Sequence, residues 1–376
     1  MPTKILESEE EIKDFVRGCT FLGTGGGGRL AFGEQLLLDD FKEGREIKWV
    51  DGSEIADDTW MCTTWGMGTI APVTKETKAR MEALGLTQEK VARPLLEAVE
   101  VLQEYSGIKA GALIAFEIGG VNTPGPIDAT LRLGIPIVDG DYSGRALPEV
   151  VQALPCLYNK KITPIACCDR WGNVSIIKEA ASYVTAERLG KMISIAGFGR
   201  CGQAGFLLPW KEVKGAFIPG TLTYAHNIGK AIRQARESGV NPVEAAVEAT
   251  SGWLLFEGRV SKRETEDREG YYCGITTIEG IDKFKGHSFR IFFKNENHIT
   301  WLDGEAYVTS PDIIEVVQLD TAEPITNSDL AEGDSVAVVG VKHESYRSKE
   351  GIALVGPRRY GYEIEYVPIE KVIKQL

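Results

Sequence analysis

Ile135-Pro136-Ile137-Val138-Asp139-Gly140-Asp141-Tyr142-Ser143-Gly144-Arg145 reads as a short buried strand that ends in two carboxylates. Its apolar run is unbroken rather than alternating, the pattern of a strand covered on both faces, and such strands belong to sheets with helices above and below. Gly140 and Gly144 free the backbone beyond it, and Pro148-Glu149 opens a further helical turn that runs into Pro155.

Working outward, Ile127 to Leu133 is helical and Ala112 to Phe116 is a second buried strand. Thr87 to Tyr105 is helical, and Thr59 to Thr64 and Ile47 to Val50 are strands. At the start, Ser8 caps a helix to Arg17, and another helix occupies Leu30 to Phe41. This alternation predicts a three-layer α/β domain with a mainly parallel sheet over residues 1–165.

Beyond it the texture changes to short strands between turns. Ile165 to Cys168, Val174 to Lys178, Met192 to Gly197, Tyr271 to Ile278, Ser288 to Asn295 and His298 to Leu302 fit that pattern. Ala306 to Thr309, Ile313 to Leu319, Ser335 to Val341 and Glu363 to Pro368 continue it. One helical segment, within residues 223–251, interrupts them. The expectation for 166–376 is a β-rich domain, barrel-like or sandwich-like.

Composition bounds the function. The 376 residues carry a formal net charge of −12, which argues against a nucleic-acid partner, since phosphate binding needs clustered Lys and Arg. No apolar stretch is long enough to span a bilayer, and the first residues, Met1 to Glu7, turn acidic without a signal-peptide core. Seven scattered cysteines without a Cys-x-x-Cys pair suit a reducing compartment. The chain reads as a cytoplasmic enzyme acting on a small molecule, with no membrane partner and a homo-oligomer as the default assembly.

Several segments carry chemistry. The run Gly23-Thr24-Gly25-Gly26-Gly27-Gly28 lets backbone approach a ligand, and its N–H groups suit an anion or oxyanion better than a nucleotide, because no Gly-Lys-Ser/Thr ending follows. Gly119-Gly120-Val121-Asn122 follows a strand that ends in Glu117, and Thr64 to Thr69 stands in the same relation to its own strand. Ligands gather at such strand ends. Asp139 and Asp141 can ligate a cation or divide acid and base roles, unless they only cap the next helix. Arg145 suits a carboxylate clamp. His226, at a helix start, reads as a base, a metal ligand or an ordinary helical residue. His287, His298 and His343 read as surface residues. Of Cys167 and Cys168, only one can face a site, since neighbouring strand residues point to opposite faces.

These pieces resemble the family named for S-methyl thiohydantoin desulfurase, once uncharacterised and often found beside hydantoinase and oxoprolinase proteins. The resemblance rests on Leu22-Gly-Thr-Gly-Gly-Gly-Gly28, Gly119-Gly-Val-Asn122, Pro136-Ile-Val-Asp-Gly-Asp141, Gly144-Arg-Ala-Leu-Pro-Glu149 and Gly356-Pro-Arg-Arg-Tyr-Gly-Tyr362. It implies an N-terminal α/β domain, a C-terminal β-rich domain and replacement of a ring methylthio group by water, releasing methanethiol. It also implies zinc as a cofactor. Thr64 to Pro72 and Asp141-Tyr142-Ser143 depart from the family pattern.

The leading expectation is therefore a hydrolase of a hydantoin-like or S-methyl-thiohydantoin-like ring, assisted by zinc or another divalent metal. Asp139, Asp141 and His226 would hold the metal with Cys168 in reserve. Arg145 and Glu117 would join the catalytic set, with Gly25 to Gly28, Gly120 and Asn122 binding substrate. The rivals are a metal-free hydrolase or lyase using Asp or Cys, and a non-catalytic partner of a hydantoinase-type protein.

Overall fold

In the computed structural model, which describes residues 4–373, two seven-stranded sheets are held together by a shared layer of helices. Met1 to Thr3, part of the segment read above for targeting, lie outside the described residues. β1 (Lys4–Ile5) leads into α1 (Glu9–Leu22), where Ser8 accepts the Glu11 N–H and three glutamates fill the first turn. Carboxylates are favoured there by the exposed N–H groups of a helix start. The glycine turn, α2 (Leu30–Lys42) and β2 (Lys48–Trp49) follow, and β2 pairs with β1.

The centre of the first sheet is β3 (Trp60–Gly68), β4 (Ala112–Ala115) and β5 (Ile137–Asp141), parallel neighbours joined through α3 (Lys75–Ala83), α4 (Pro94–Ser106) and α5 (Pro124–Leu133). Past α6 (Leu154–Leu157) come β6 (Ile165–Asp169), β7 (Val174–Ile177), α7 (Tyr183–Ala196), β8 (Arg200–Pro209), α8 (Trp210–Val213) and β9 (Ile218–Pro219). The order is β7-β6-β8-β3-β4-β5-β9, so the sheet also recruits strands from beyond residue 165. Only its centre is parallel, which corrects the mainly parallel expectation. β6 and β7 are joined by a turn too short for a crossover, and β8 and β9 also enter antiparallel.

Side-chain alternation along these strands makes the three layers, interrupted on β8 where Phe206 takes a positive φ of 50° and the pairing register shifts. Cys62, Leu113, Ile137, Ala166 and Ala204 face one core; Met61, Ile114, Val138, Cys167 and Phe206 face the other. The first core is roofed by α1, α4, α5 and by α9 (Thr221–Ser238) and α10 (Pro242–Thr250). α1 and α9 nearly touch: a Cβ on Gly18 would lie 1.7 Å from the Ala225 carbonyl oxygen.

The second sheet is wholly antiparallel. It runs β10 (Trp253–Arg268), β11 (Tyr271–Gly280), β12 (Ser288–Lys294), β13 (Glu296–Leu302), β14 (Glu305–Thr309), β15 (Ile313–Gln318) and β16 (Ser335–Val341), in the order β14-β13-β12-β11-β10-β16-β15. Ile313, Val317, Ala337 and Val339 pack on the α1–α9 layer, whereas Phe256, Phe289, Ile314 and Val338 form a core of the sheet's own. The α/β domain and the β-rich region thus match the expected fold class. α11 (Lys349–Val355) and α12 (Ile369–Val372) complete the chain.

Two local readings change. Met192 to Gly197, expected as a strand, is the last turn of α7 and its cap, because Ser182 caps that helix and Glu187, Gly190, Lys191 and Ser194 form its buried stripe. Glu363 to Pro368 pairs with no strand and is irregular. No helix among the described residues is long and apolar enough to cross a membrane.

Candidate active site

A cleft of about 540 Å³ opens where the carboxyl ends of β3 and β4 meet the glycine turn and the start of β13. Its walls are Trp65 to Ile70, Phe116 and Glu117, Gly26 to Gly28, Val121 and Asn122, Glu187 and Lys191 of α7, Cys201, and Asn295 with Glu296. This is the position that parallel strands leave open for a ligand.

The glycine turn fits here for a steric reason. A Cβ on Gly26 would lie 1.9 Å from Glu296 Oε1, and one on Gly27 would lie 2.7 Å from the Gly119 Cα. Gly27 and Gly28 also take positive φ angles of 69° and 99°, which glycine tolerates at little cost. The turn is clamped from both sheets: Val121 and Asn122 donate to the Gly27 carbonyl, while Asn297 and Asn327 donate to those of Thr24 and Gly25. The N–H groups of Gly27 and Gly28 donate to no acceptor among the described residues.

Two buried carboxyls form the floor. Glu117, 3% exposed, accepts the Asn122 side-chain amide at 2.6 Å and the Leu147 N–H at 2.8 Å. Burial pushes its carboxyl up to about 7, against the pull of those two bonds and of Lys191. Glu296, 2% exposed, is pushed well above the usual carboxylate range by burial and then by the Glu117 charge; Arg145 and Lys191 oppose this. Its Oε2 atom has no hydrogen-bond partner among the described residues, nor has the buried Trp65 Nε1. Lys191 reaches the Gly68 carbonyl at 3.3 Å and Glu187 at 3.6 Å, and Glu187 in turn accepts the Val150 N–H and the Tyr271 hydroxyl. Burial raises the proton affinity of both carboxyls, with the Asp141 charge also acting on Glu117, and raised carboxyls in a cleft are candidates for acid–base roles.

The residues singled out from sequence divide into two groups. Glu117, Asn122 and Gly26 to Gly28 line the cleft. Gly25 and Gly120 stand one layer back, against Asn327 and against the Gly28 carbonyl oxygen. Asp139, Asp141, Arg145, His226 and Cys168 are absent from its walls. Asp139 accepts the Leu222 and Thr223 N–H groups at 3.0 and 3.1 Å and the Thr223 hydroxyl at 2.6 Å, capping α9, whose own N-cap residue is glycine. Asp141 turns inward to accept the Ser143 and Gly144 N–H groups. The fully buried Arg145 spends its guanidinium on the carbonyls of Ala146, Asn297, Pro311 and Asp312, tying the two sheets together. His226 is buried on α9, and neither ring nitrogen has a hydrogen-bond partner among the described residues; burial pushes it down to about 4, and its charged neighbours are Lys4, Glu11, Lys230 and Arg233. Cys168 faces the helical core, its thiol pushed up to about 12 by burial. His298 and His343, expected at the surface, are buried at 1% and 6% exposure.

Glu296, Lys191 and Glu187 went unrecognised in sequence. The signal for the first was Asn295-Glu296-Asn297-His298, four polar residues inside a strand pattern, all of which the sheet buries. Lys191 was hidden because its helix resembled a strand.

Family models match both halves of this architecture: the S-Me-THD-like N-terminal domain over residues 10–179 and the S-Me-THD-like C-terminal domain over residues 181–369. The chain belongs to the S-Me-THD-like family. No curated protein matches it. A crystal structure of a protein from Chromobacterium violaceum superposes with a TM-score of 0.77, covering 96% of this chain and 99% of that one at 20% identity. That likeness concerns the fold.

The S-Me-THD-like resemblance brought zinc with it, and the ligands expected for it do not converge. Among the described residues no three His, Cys, Asp or Glu side chains stand together as a metal site. Asp139 is engaged with the start of α9, Asp141 gives Oδ1 to backbone N–H groups while its buried Oδ2 has no hydrogen-bond partner among the described residues, and Cys168 packs in the core. Glu117, Glu296, Glu187 and Cys201 all line the cleft, yet no three of them stand close enough together to form such a site.

Proposed function

We propose that this S-Me-THD-like protein hydrolyses a hydantoin-like or S-methyl-thiohydantoin-like ring in the Glu117–Glu296 cleft. The observation that carries the reading is a pair of buried, interacting carboxyls facing unpartnered donors. An imide-type ring offers both carbonyl acceptors and an N–H donor, which complements the Gly27 and Gly28 N–H groups, Trp65 Nε1 and Glu296 Oε2.

For a methylthio ring, ionised Glu117 takes a proton from water as the water oxygen bonds to the ring carbon. Negative charge moves onto the ring and is met by the glycine N–H groups. Protonated Glu296 then gives its proton to the departing sulfur as the carbon–sulfur bond breaks. Methanethiol leaves, the new ring hydroxyl passes its proton to the neighbouring ring nitrogen to give the carbonyl and N–H of the product ring, and the proton on Glu117 returns to Glu296, restoring the starting pair. Lys191 keeps the pair from becoming doubly neutral. Asn122 fixes the Glu117 carboxyl, so its lone pair is presented without reorganisation.

The test is incubation of purified protein with a 2-methylthio-imidazolone and with plain hydantoins, followed by thiol detection and product mass. Turnover of at least one ring class is expected. No turnover of either, from protein that is folded, contradicts the proposal. A second reading keeps the metal: the chain would gather ligands only on binding it, and activity abolished by chelator and restored by zinc would favour that.

A further inference from the structure

The segment Gly356-Pro-Arg-Arg-Tyr-Gly-Tyr362 contributes nothing to the walls of the cleft. Its single turn Pro357–Tyr360 instead closes a second cavity, of about 280 Å³, over the outer face of β11 and β12. Two-residue spacing puts Tyr271 with Cys273, and Phe292 with Lys294, on that face, and Cys273 lies directly opposite Lys294 in the sheet. Arg359 and Tyr360 come from the turn, and Arg268 and Glu269 from the hairpin between β10 and β11. The buried His298 stacks on the Tyr360 ring with 4.0 Å between centroids, and Gln152 donates to the Tyr360 hydroxyl at 3.0 Å, so this wall is held in place.

Cations prevail here, in a protein whose formal net charge is −12. Lys294 and Arg359 share one acid: Glu149, 8% exposed and behind the lining, accepts Lys294 Nζ at 2.5 Å on one oxygen and Arg359 on the other. Burial would raise Glu149, but Lys294 and Arg359 outweigh it and hold the carboxyl below its usual range. One ionised carboxylate thus positions two cations and cancels the charge of one. Arg268 pairs with the exposed Glu266 at 3.3 Å, a contact that solvent makes easy to exchange. Burial pushes the Cys273 thiol up, against the pull of Lys294 and Arg268, so that residue adds no negative charge.

We infer that this second cavity binds a phosphoryl group, as inorganic phosphate or a phosphomonoester, between Lys294, Arg359 and Arg268. A tetrahedral oxyanion takes donors from several directions, which three cations on three separate elements supply, whereas a planar carboxylate is matched by one guanidinium fork. The Phe292 and Tyr360 rings, 6.1 Å apart, leave an aromatic surface beside the anion for the rest of an ester. The site adjoins the cleft without opening on Glu117 or Glu296. Tyr271 stands between them: its ring centroid lies 3.9 Å from Lys294 Nζ and 4.0 Å from Lys191 Nζ, and its hydroxyl bonds Glu187 at 2.6 Å.

Calorimetric titration of the full chain with sodium phosphate, phenyl phosphate and benzoate, at constant ionic strength, tests this. Phosphate is expected to bind at one site, and phenyl phosphate more tightly. R359Q and K294Q should each weaken both by at least about tenfold. Both changes also unpair Glu149, so R268Q, at an exposed residue, guards against a folding defect: it should weaken binding severalfold with an unchanged urea midpoint. R200Q, in the cleft, should bind phosphate as the wild type does. Phosphate binding lost in R200Q and retained in R359Q moves the anion to the cleft and overturns the inference. Wild-type affinity in R268Q, benzoate binding tighter than either phosphate, or no saturable binding at millimolar phosphate overturns it as well.

Discussion

Replacing Glu117 by Gln removes a carboxyl that burial pushes up to about 7 while keeping its shape. A positioned general base contributes about 10²- to 10⁴-fold, so E117Q should lose that factor in kcat, about 3–5 kcal/mol of barrier. The Gln retains the volume of the buried Glu but has one acceptor oxygen for the two donors Asn122 and Leu147, so E117Q should also lose about 1–3 kcal/mol of stability at every pH. Because the wild-type carboxyl is pushed up to about 7, activity should rise with pH through a limb centred there, and E117Q should lack it. Stability carries a linked signature with the opposite slope. The ordinary value is 4.5 and the folded value is higher, so the folded protein binds the proton more tightly than the unfolded chain. This contribution is present below about 4.5 and is lost as pH rises to about 7, a change on the order of 3 kcal/mol at most. Denaturant titrations from pH 4.5 to 8 should therefore show wild-type stability falling more steeply than that of E117Q. The assays are methanethiol or ring-opening rates across pH and urea midpoints at the same pH values. An E117Q enzyme within a few-fold of wild type, with its pH limb intact, refutes the assignment of the base.

Three further outcomes follow from the same geometry. K191M removes a charge that lowers both floor carboxyls, so the limb seen in a rate–pH profile should move upward from about 7; a downward or absent shift contradicts the placement of Lys191. G26A puts a Cβ 1.9 Å from Glu296 Oε1 and should cost at least tenfold in kcat with about 1–3 kcal/mol of stability, read by kinetics and urea unfolding. D139A removes the borrowed cap of α9 and should cost about 1–2 kcal/mol in urea unfolding with kcat of the folded enzyme within a few-fold of wild type. A collapse of kcat at full stability would return Asp139 to the reaction.

Much of the fold was legible because burial on both sides writes itself into sequence as unbroken apolar runs. Ala112 to Ala115 and Ile137 to Val138 are such strands, and the first leads into Phe116 and Glu117 of the cleft wall. α7 was not legible: its buried stripe is Glu187, Gly190, Lys191 and Ser194, so the apolar residues Met192 and Ile195 lie outside and imitate a strand. The site divides in the same way. Glu117 and Gly26 to Gly28 belong to local strand-end and turn patterns, which one segment is enough to reveal. Glu296 comes from a different sheet and reaches the cleft because Gly26 has no side chain, a long-range fit that neither segment announces alone. Asp139 and Asp141 looked like the centre because strand-end carboxylates serve catalysis and helix capping equally well. Both accept backbone N–H groups, from Leu222, Thr223, Ser143 and Gly144, and half of those donors lie about eighty residues away.

The central claim is that a ring binds between Glu117 and Glu296. A crystal structure of the protein soaked with hydantoin tests it most directly. The prediction is a ring with polar atoms within hydrogen-bond distance of Glu296 and of the Gly27 or Gly28 N–H, and its reacting carbon open to a water on Glu117. Ring density beside Asp139, Asp141 or His226, with the Glu117–Glu296 cleft empty, would contradict it.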